Sequence, residues 1–452
     1  MNNDPERIDL WDTLGLEAAE LLADLVRIDT TNPPGNETPA AEHIAGYLRA
    51  RGIEGELLGA QADRLSYVAR IDGDRPGPTL LLLSHTDVVP AEEAEWTVPP
   101  FGGEVRDGYV WGRGTLDMKN MLAAQALAMS RLAESNAGFT GSVILCAVAD
   151  EEVGNYGGIG WLIANHPELV RCDYVLNEGG GEFVEIDGRR TQLLTVGEKG
   201  TAQFRLTFSG DAGHASAPLT ERNAVANLAR AIVALNDYQP LVHLETVPTA
   251  LLERCVGDEA LLARLADPVA AREALDELSV AAPDIAGLVL PLYGLTFAPT
   301  IVHAGGEAVN VYPSHGEVRV DCRTLPGQSA EEVRSEIEAA LAGLDDWELE
   351  WISVIPGNAS PYETTFTDAI ATVVEEMTPG TALAPMHCVG YTDSNSFRCA
   401  WPEVIAYGFL PFVTEDYFTV KERFHNKDER IAVRDLGFQA AFIERLIRVL
   451  LA

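Results

Sequence analysis

Lysine is nearly absent from this 452-residue chain: Lys119, Lys199, Lys421 and Lys427 are the only four, and arginine brings the basic total to just 32 against 69 acidic residues. The formal charge of −37 repels phosphate backbones and anionic lipid, which excludes nucleic-acid or membrane-surface binding through a basic patch. No apolar run reaches the roughly 18 residues that a membrane span needs. The segment MNNDPERIDLWDTLG carries acid where a secretory leader needs base and then an apolar stretch, so a soluble, cytoplasmic protein is expected. Cys146, Cys172, Cys255, Cys322, Cys388 and Cys399 include no CxxC pair, and buried free thiols are expected rather than thiolate zinc sites or disulfides. Internal repeats, low-complexity tracts and long linkers are missing too.

What is present is an ordinary globular composition, 47% hydrophobic and 22% charged. The length is about three times the roughly 150 residues of a typical domain, which predicts two domains or one interrupted by another. Apolar positions recur at three-to-four spacing over 16–28 and 39–51, and Leu80 to Leu83 form a short continuous apolar run ending in Ser84-His85. A helical pattern over 118–132 follows, then an apolar run at 142–150, a helix over 156–165 and the run CDYVLN at 172–177. Buried strands alternating with helices predict a parallel sheet covered on both faces, with ligands beyond the carboxyl ends of the strands. Those ends read His85, then Asp150-Glu151-Glu152, then Glu178.

From about Gly197 the period changes to two: Phe204, Leu206 and Phe208 alternate with polar residues, as do Val318, Val320 and Cys322. That predicts half-exposed antiparallel strands, and with helical patterns at 221–236 and 329–343 and a strand at 347–355 it predicts a small α+β domain. A strand over 404–409 and a helix over 433–451 return to the first pattern. The expected architecture is therefore a split α/β domain, 1–196 with 358–452, interrupted by an α+β insertion at 197–357.

Within this frame His85 and Asp87 lie two apart on a strand and share a side, which suits an imidazole ligand oriented by a carboxylate; a strand-end histidine beside a turn aspartate is the bland alternative. Asp117 precedes a helix and reads singly as an N-cap. Glu151-Glu152 would point opposite ways on an extended segment, one carboxylate toward a metal and the other toward a proton; a solvated acidic turn is equally plain. Glu178 sits beside glycines at a strand end, and His425 in FHNKDER reads alone as a surface residue. Together, two histidines and several carboxylates form the ligand set of a two-metal site, with nitrogen and oxygen donors that suit zinc first and admit cobalt or manganese.

LLLSHTDVVP, WGRGTLDMK, ADEEVG, LNEGG, GHASAP, NVYP and the late histidine, in that order along the chain, resemble the dinuclear zinc amidohydrolases grouped with aminoacylase, acetylornithine deacetylase, succinyl-diaminopimelate desuccinylase and glutamate carboxypeptidase. The resemblance implies His85 and Glu178 on one zinc, Glu152 and His425 on the other, Asp117 bridging, Glu151 as general base and Asp87 orienting His85. It implies an inserted lid that often dimerises, with His214 of GHASAP reaching the scissile carbonyl, often from the partner subunit. Asn310 of NVYP and Arg323 of VDCRTLPG resemble substrate contacts, the arginine gripping a carboxylate. Thr392-Asp393-Ser394 resembles the stretch lining the site, but Asn395-Ser396 stands where an Arg-aromatic pair is expected. The 96 positions from His214 to Asn310 are about twice the spacing of compact members. The extra apolar, helical segment at about 240–298 resembles the longer branch with carboxypeptidase S. The implied activity is hydrolysis of an N-acyl amino acid or short peptide bearing a free carboxylate. A dipeptidase, a metabolite deacetylase or a non-catalytic metal-binding module are the alternatives.

Overall fold

The computed structural model describes residues 5–135, 138–154, 157–186, 188–217, 222–244, 246–267, 269–306 and 308–452. Its central sheet has ten strands, and the four in the middle, Thr140–Val148, Arg75–His85, Tyr174–Asn177 and Ile405–Gly408, run parallel. Their continuous apolar character follows from burial on both faces: Leu80 to Leu83 and Val143 to Val148 are inaccessible to solvent. One face is covered by helices Pro5–Arg27, Lys119–Glu134, Thr365–Met377 and Val433–Leu450. The last of these places Leu436, Phe442, Ile443, Leu446 and Ile447 at three-to-four spacing on its buried side, each contributing about 1.5–3 kcal/mol by leaving water. The other face is closed by helices Ile159–Asn165 and Ser394–Ala400. The first helix begins eleven residues before the apolar periodicity at 16–28, and position 156 lies outside the described residues.

The chain leaves the central sheet from strand Arg189–Glu198 and enters a second, four-stranded antiparallel sheet through Gly200–Ser209. It returns through Trp347–Ile355 and the short strand Asn358–Ala359. At this crossing a Cβ on Gly200 would lie 2.4 Å from the Gly357 nitrogen, and one on Gly357 would lie 2.5 Å from the Gly200 nitrogen, so the close approach needs glycine on both sides. Helices Ala224–Asp237 and Ala330–Ala340 cover one face of this sheet, burying Phe204, Leu206, Phe208, Val318 and Val320. The period-two pattern therefore marks a sheet covered on one face only.

The helices Thr246–Cys255, Glu259–Leu265, Ala271–Ala281 and Pro283–Val289, which the sequence groups with the insertion, bury their apolar faces against Val184, Leu193, Ala384 and Met386 of the central sheet. Two of the four lysines are buried without a carboxylate: Lys199 donates to the carbonyls of Pro291 and Gly294, and Lys119 to those of Leu25 and Ile28. Burial pulls both ammonium groups down to about 8. All six cysteines are free, and four are buried as expected; Cys388 is half-buried and Cys399 is exposed on the outer side of helix Ser394–Ala400. No helix among the described residues is long and apolar enough to cross a membrane.

Candidate metal centre

Three of the parallel strands deliver their carboxyl ends to one place. His85 closes its strand, Glu178 follows Asn177, and Asp150 to Glu152 follow Val148 after one residue. Glu151 and Glu152 sit in a turn and not on the extended segment that the sequence suggests, because Asp150 adopts a left-handed φ of 63° and bends the chain. Both carboxylates consequently face one cluster. Asp117 and His425 are brought in by a small sheet in which Arg430–Ala432 pairs with Tyr109–Trp111, with the Gly112 N–H donating to the Glu429 carbonyl. Met118 occupies the N-cap position of helix Lys119–Glu134, which leaves the Asp117 side chain free of a capping role.

In the cluster, the two oxygens of Asp117 face two histidines: Oδ1 lies 3.1 Å from His85 Nε2 and Oδ2 lies 3.0 Å from His425 Nε2. Glu178 is 3.7 Å from His85 Nε2, and Glu152 is 3.3 Å from His425 Nε2. Glu151 completes a group with His85 and Glu178 whose ligand atoms all lie within 4.8 Å of one another. The His85 Nδ1 is 3.0 Å from the Asp87 backbone carbonyl and 3.4 Å from its carboxylate, which leaves Nε2 directed at the cluster. The Asp87 carboxylate also accepts the N–H groups of Glu151 and Glu152 and the Asn32 amide, so it holds the acidic turn as well as the histidine.

Even with both rings protonated, four carboxylates outnumber two imidazoliums in this cleft. The strain shows in the protonation equilibria. Burial and then Glu178 push the Glu151 carboxyl well above its usual range. Burial and then Asp117 push Glu178 up to about 7, while hydrogen bonds to Asp117 and Glu152 raise His425 to about 10. Burial opposes ionisation of Asp117, but His425 and His85 outweigh it and hold that carboxyl below its ordinary value. The buried Glu152 Oε1 has no hydrogen-bond partner. An uncompensated excess of acid, an orphaned carboxylate oxygen and nitrogen-oxygen donors fit divalent cations.

The centre opens into a cavity of about 570 Å³ walled by Met118, Met121, Met386, Leu410, Phe412 and Phe424. Arg323 and Thr392 also line it. Asp393 and Ser394 are buried behind it, the Ser394 hydroxyl accepting from the Asn177 amide and the Asp393 carboxylate making no hydrogen bond. His214 and Asn310 meet at an exposed tip of the insertion, where Gly213–His214 pairs with Val311–Tyr312 and Ala215 donates to the Asn310 carbonyl, and neither lines the cavity. No arginine follows Ser394 directly; Arg398, four residues on, is buried in an ion pair with Glu198 at 2.7 Å, and Glu198 also accepts the Thr392 N–H.

Several residues behind the cluster escaped sequence reading. Glu429 is fully buried and accepts the backbone N–H groups of Gly114, Leu116 and Asp117 while pairing with Arg113 at 2.6 Å. Asn32 bridges Asp87 and Asp150, and Arg64 ties Asp150 to the buried Glu37. The one available signal for Glu429 was its position in the same short loop as His425.

Residues 81–449 match the family model described as peptidase family M20/M25/M40. The human N-fatty-acyl-amino acid synthase/hydrolase PM20D1 is 27% identical over 396 residues, covering 85% of this chain and 77% of that protein. A succinyl-diaminopimelate desuccinylase of Bradyrhizobium sp. (strain BTAi1 / ATCC BAA-1182) is 26% identical over 437 residues, covering 93% of this chain and 96% of that one. Among solved structures, the M20 family metallo-carboxypeptidase Sso-CP2 from Sulfolobus solfataricus superposes with a TM-score of 0.71 at 20% identity, covering 96% of this chain and 99% of that one.

Proposed function

Because this chain belongs to peptidase family M20/M25/M40, a family of hydrolytic, metal-dependent enzymes, we propose that it cleaves the amide bond of N-acyl amino acids or short peptides that carry a free carboxylate. The observation that supports this most is Asp117 presenting one oxygen to each of two histidines, at 3.1 and 3.0 Å, with a further carboxylate beside each ring. His85 and Glu178 would hold one zinc, Glu152 and His425 the other, and Asp117 both; cobalt or manganese would suit the same donors. Bound there, a pair of divalent cations would polarise the scissile carbonyl and acidify water.

The rest of the chemistry belongs to the side chains. Glu151, desolvated and beside Glu178, would take a proton from the attacking water and pass it to the leaving amine. Asp87 fixes the tautomer of His85 and the turn that carries Glu151. Thr392 and Arg323, which line the cavity wall, would contact the substrate there. The apolar wall, to which three of the six methionines contribute, suits an acyl chain or apolar side chain of variable length. It also favours acyl amino acids over small polar dipeptides, in keeping with the name of the human relative. His214 and Asn310, exposed at the tip of the insertion, would act on the cavity of a second copy in a homodimer formed through the inserted domain, with His214 donating to the oxyanion.

The test is a panel of N-acyl amino acids and dipeptides offered to protein whose metal content is measured on the same sample. Hydrolysis of acylated amino acids ahead of dipeptides is expected. Full metal occupancy with no hydrolysis across the panel would replace this reading with a metal-binding module.

A further inference from the structure

Five carboxylates line the cavity, and four of them, Asp117, Glu151, Glu152 and Glu178, belong to the cluster around His85 and His425. The fifth, Glu182, stands outside it. It is 7% exposed, and among the described residues its carboxylate makes no hydrogen bond or ion pair. Burial pushes the group up to about 7, and no neighbouring cation draws it back. The backbone beside it is fixed: the Gly181 N–H donates to the Leu193 carbonyl at 2.7 Å, and the Leu193 N–H donates to the Glu182 carbonyl at 2.9 Å. A Cβ at position 181 would lie 2.1 Å from the Leu410 carbonyl oxygen, so glycine is needed for this approach.

The cations of the surrounding wall are held elsewhere. Arg190 donates to the carbonyls of Phe412 and Val413 at 3.4 and 3.3 Å. Lys421 lies 5.0 Å from the ring centre of Phe418 and 5.6 Å from that of Tyr417, and forms no ion pair with Glu182. A buried carboxylate that the fold leaves unpaired costs stability, and a donor carried by a ligand would offset that cost. Met386, Leu410, Phe412 and Tyr417 line the same cavity, and Tyr417 adjoins the carboxylate, since burial and then Glu182 raise its hydroxyl to about 12. The complement of such a wall is an aliphatic stem ending in an ammonium. Reach agrees, because Glu182 follows Glu178 by four positions, a span of at most about 14 Å. Charge agrees too. The inference rests on the hydrolase reading above, in which substrate bears a free carboxylate; an ammonium at its other end cancels the long-range repulsion from a body of −37.

We propose that Glu182 is a specificity residue that selects substrates carrying a primary ammonium at the end of an aliphatic stem, on either the acyl chain or the amino-acid side chain. Two matched pairs of probes separate those sources: Nα-hexanoyl-lysine against Nα-hexanoyl-norleucine, and aminohexanoyl-leucine against hexanoyl-leucine. Binding is measured by calorimetry on metal-loaded Glu151→Gln protein, in which turnover does not intervene. In at least one pair the ammonium member should bind about tenfold or more tightly; adding Glu182→Gln should bring the two members within about twofold, whereas Glu182→Asp should retain the preference. Glu182→Gln should also melt at or above its parent, because it removes an unpaired buried carboxylate. Equal binding within both pairs overturns the proposal. So does a preference that survives Glu182→Gln, or a variant that melts well below its parent and so marks Glu182 as a support of the fold. If the Glu151 enzyme hydrolyses no member of either pair while the binding preference depends on Glu182, the hydrolase reading fails and the ammonium site stands. If it hydrolyses all four at rates that Glu182→Gln leaves unchanged, the hydrolase reading stands and the ammonium site fails.

Discussion

Glu429 Oε1 accepts the backbone N–H of Asp117 at 3.2 Å across 312 positions of sequence, while its other oxygen holds Arg113. The carboxylate that faces both histidines is thus aimed by a second, fully buried carboxylate that touches neither. Glu429→Gln keeps the shape but leaves the buried Arg113 without its counter-charge, and should destabilise the fold by about 3 kcal/mol. Urea unfolding checks the stability, and metal analysis on the folded fraction should show weakened retention.

Asp117→Asn replaces one of the two oxygens that face His85 and His425 with an amide nitrogen and takes the charge from the other. The variant should fold, lose at least one metal ion per chain and fall at least about a hundredfold in activity. Titration with a chelator, followed by metal content and melting temperature, is the measurement. A metal-bound wild type should melt higher than its chelated form because only the folded chain assembles the site.

Glu151→Gln should keep the metal content and the fold and lose about a hundred- to ten-thousandfold in kcat, the range that a positioned base supplies. Near-normal turnover would remove Glu151 from its role and transfer attention to Glu178, its neighbour in the same group.

Acid should weaken the fold through His387. This residue is buried, neither ring nitrogen has a hydrogen-bond partner, and burial, then Arg398 and Lys199, hold it down to about 4. Its folded value lies below the unfolded value of about 6.5, so the unfolded chain binds the proton first and stability is lost as pH falls through the window from about 6.5 to 4. The wild type should lose about 2 kcal/mol from this group between pH 8 and 5. Comparing urea midpoints of wild type and His387→Gln at the two values isolates it: the variant should lose less.

Much of the candidate site was legible because several of its histidine and carboxylate side chains sit at strand ends, where a buried apolar run stops and a polar residue follows. His85 and Glu178 were readable in this way. Glu151 and Glu152 were readable as a pair but not in orientation, since the left-handed turn at Asp150 leaves no periodic trace. Asp117 read as an N-cap and His425 as a surface residue, because each acquires meaning only beside the other. The extra helices were legible as helices from their spacing, yet their partner was not, since an apolar face does not state which sheet it will cover.

The sequence by itself determined the alternation of strand and helix, the change of period at the insertion, the types of metal-ligating side chain available and the acidic net charge, all properties carried by neighbouring residues or by composition. Tertiary structure decided that Asp117 faces two histidines, that Glu429 aims it, that Arg323 pairs with Asp321 beside the cavity, and that His214 stands outside the cavity of its own chain. Each of these is a relation among side chains carried on different strands, turns and loops. Local periodicity records which face of an element is buried, and the directions in which polar side chains meet are settled only when those elements pack.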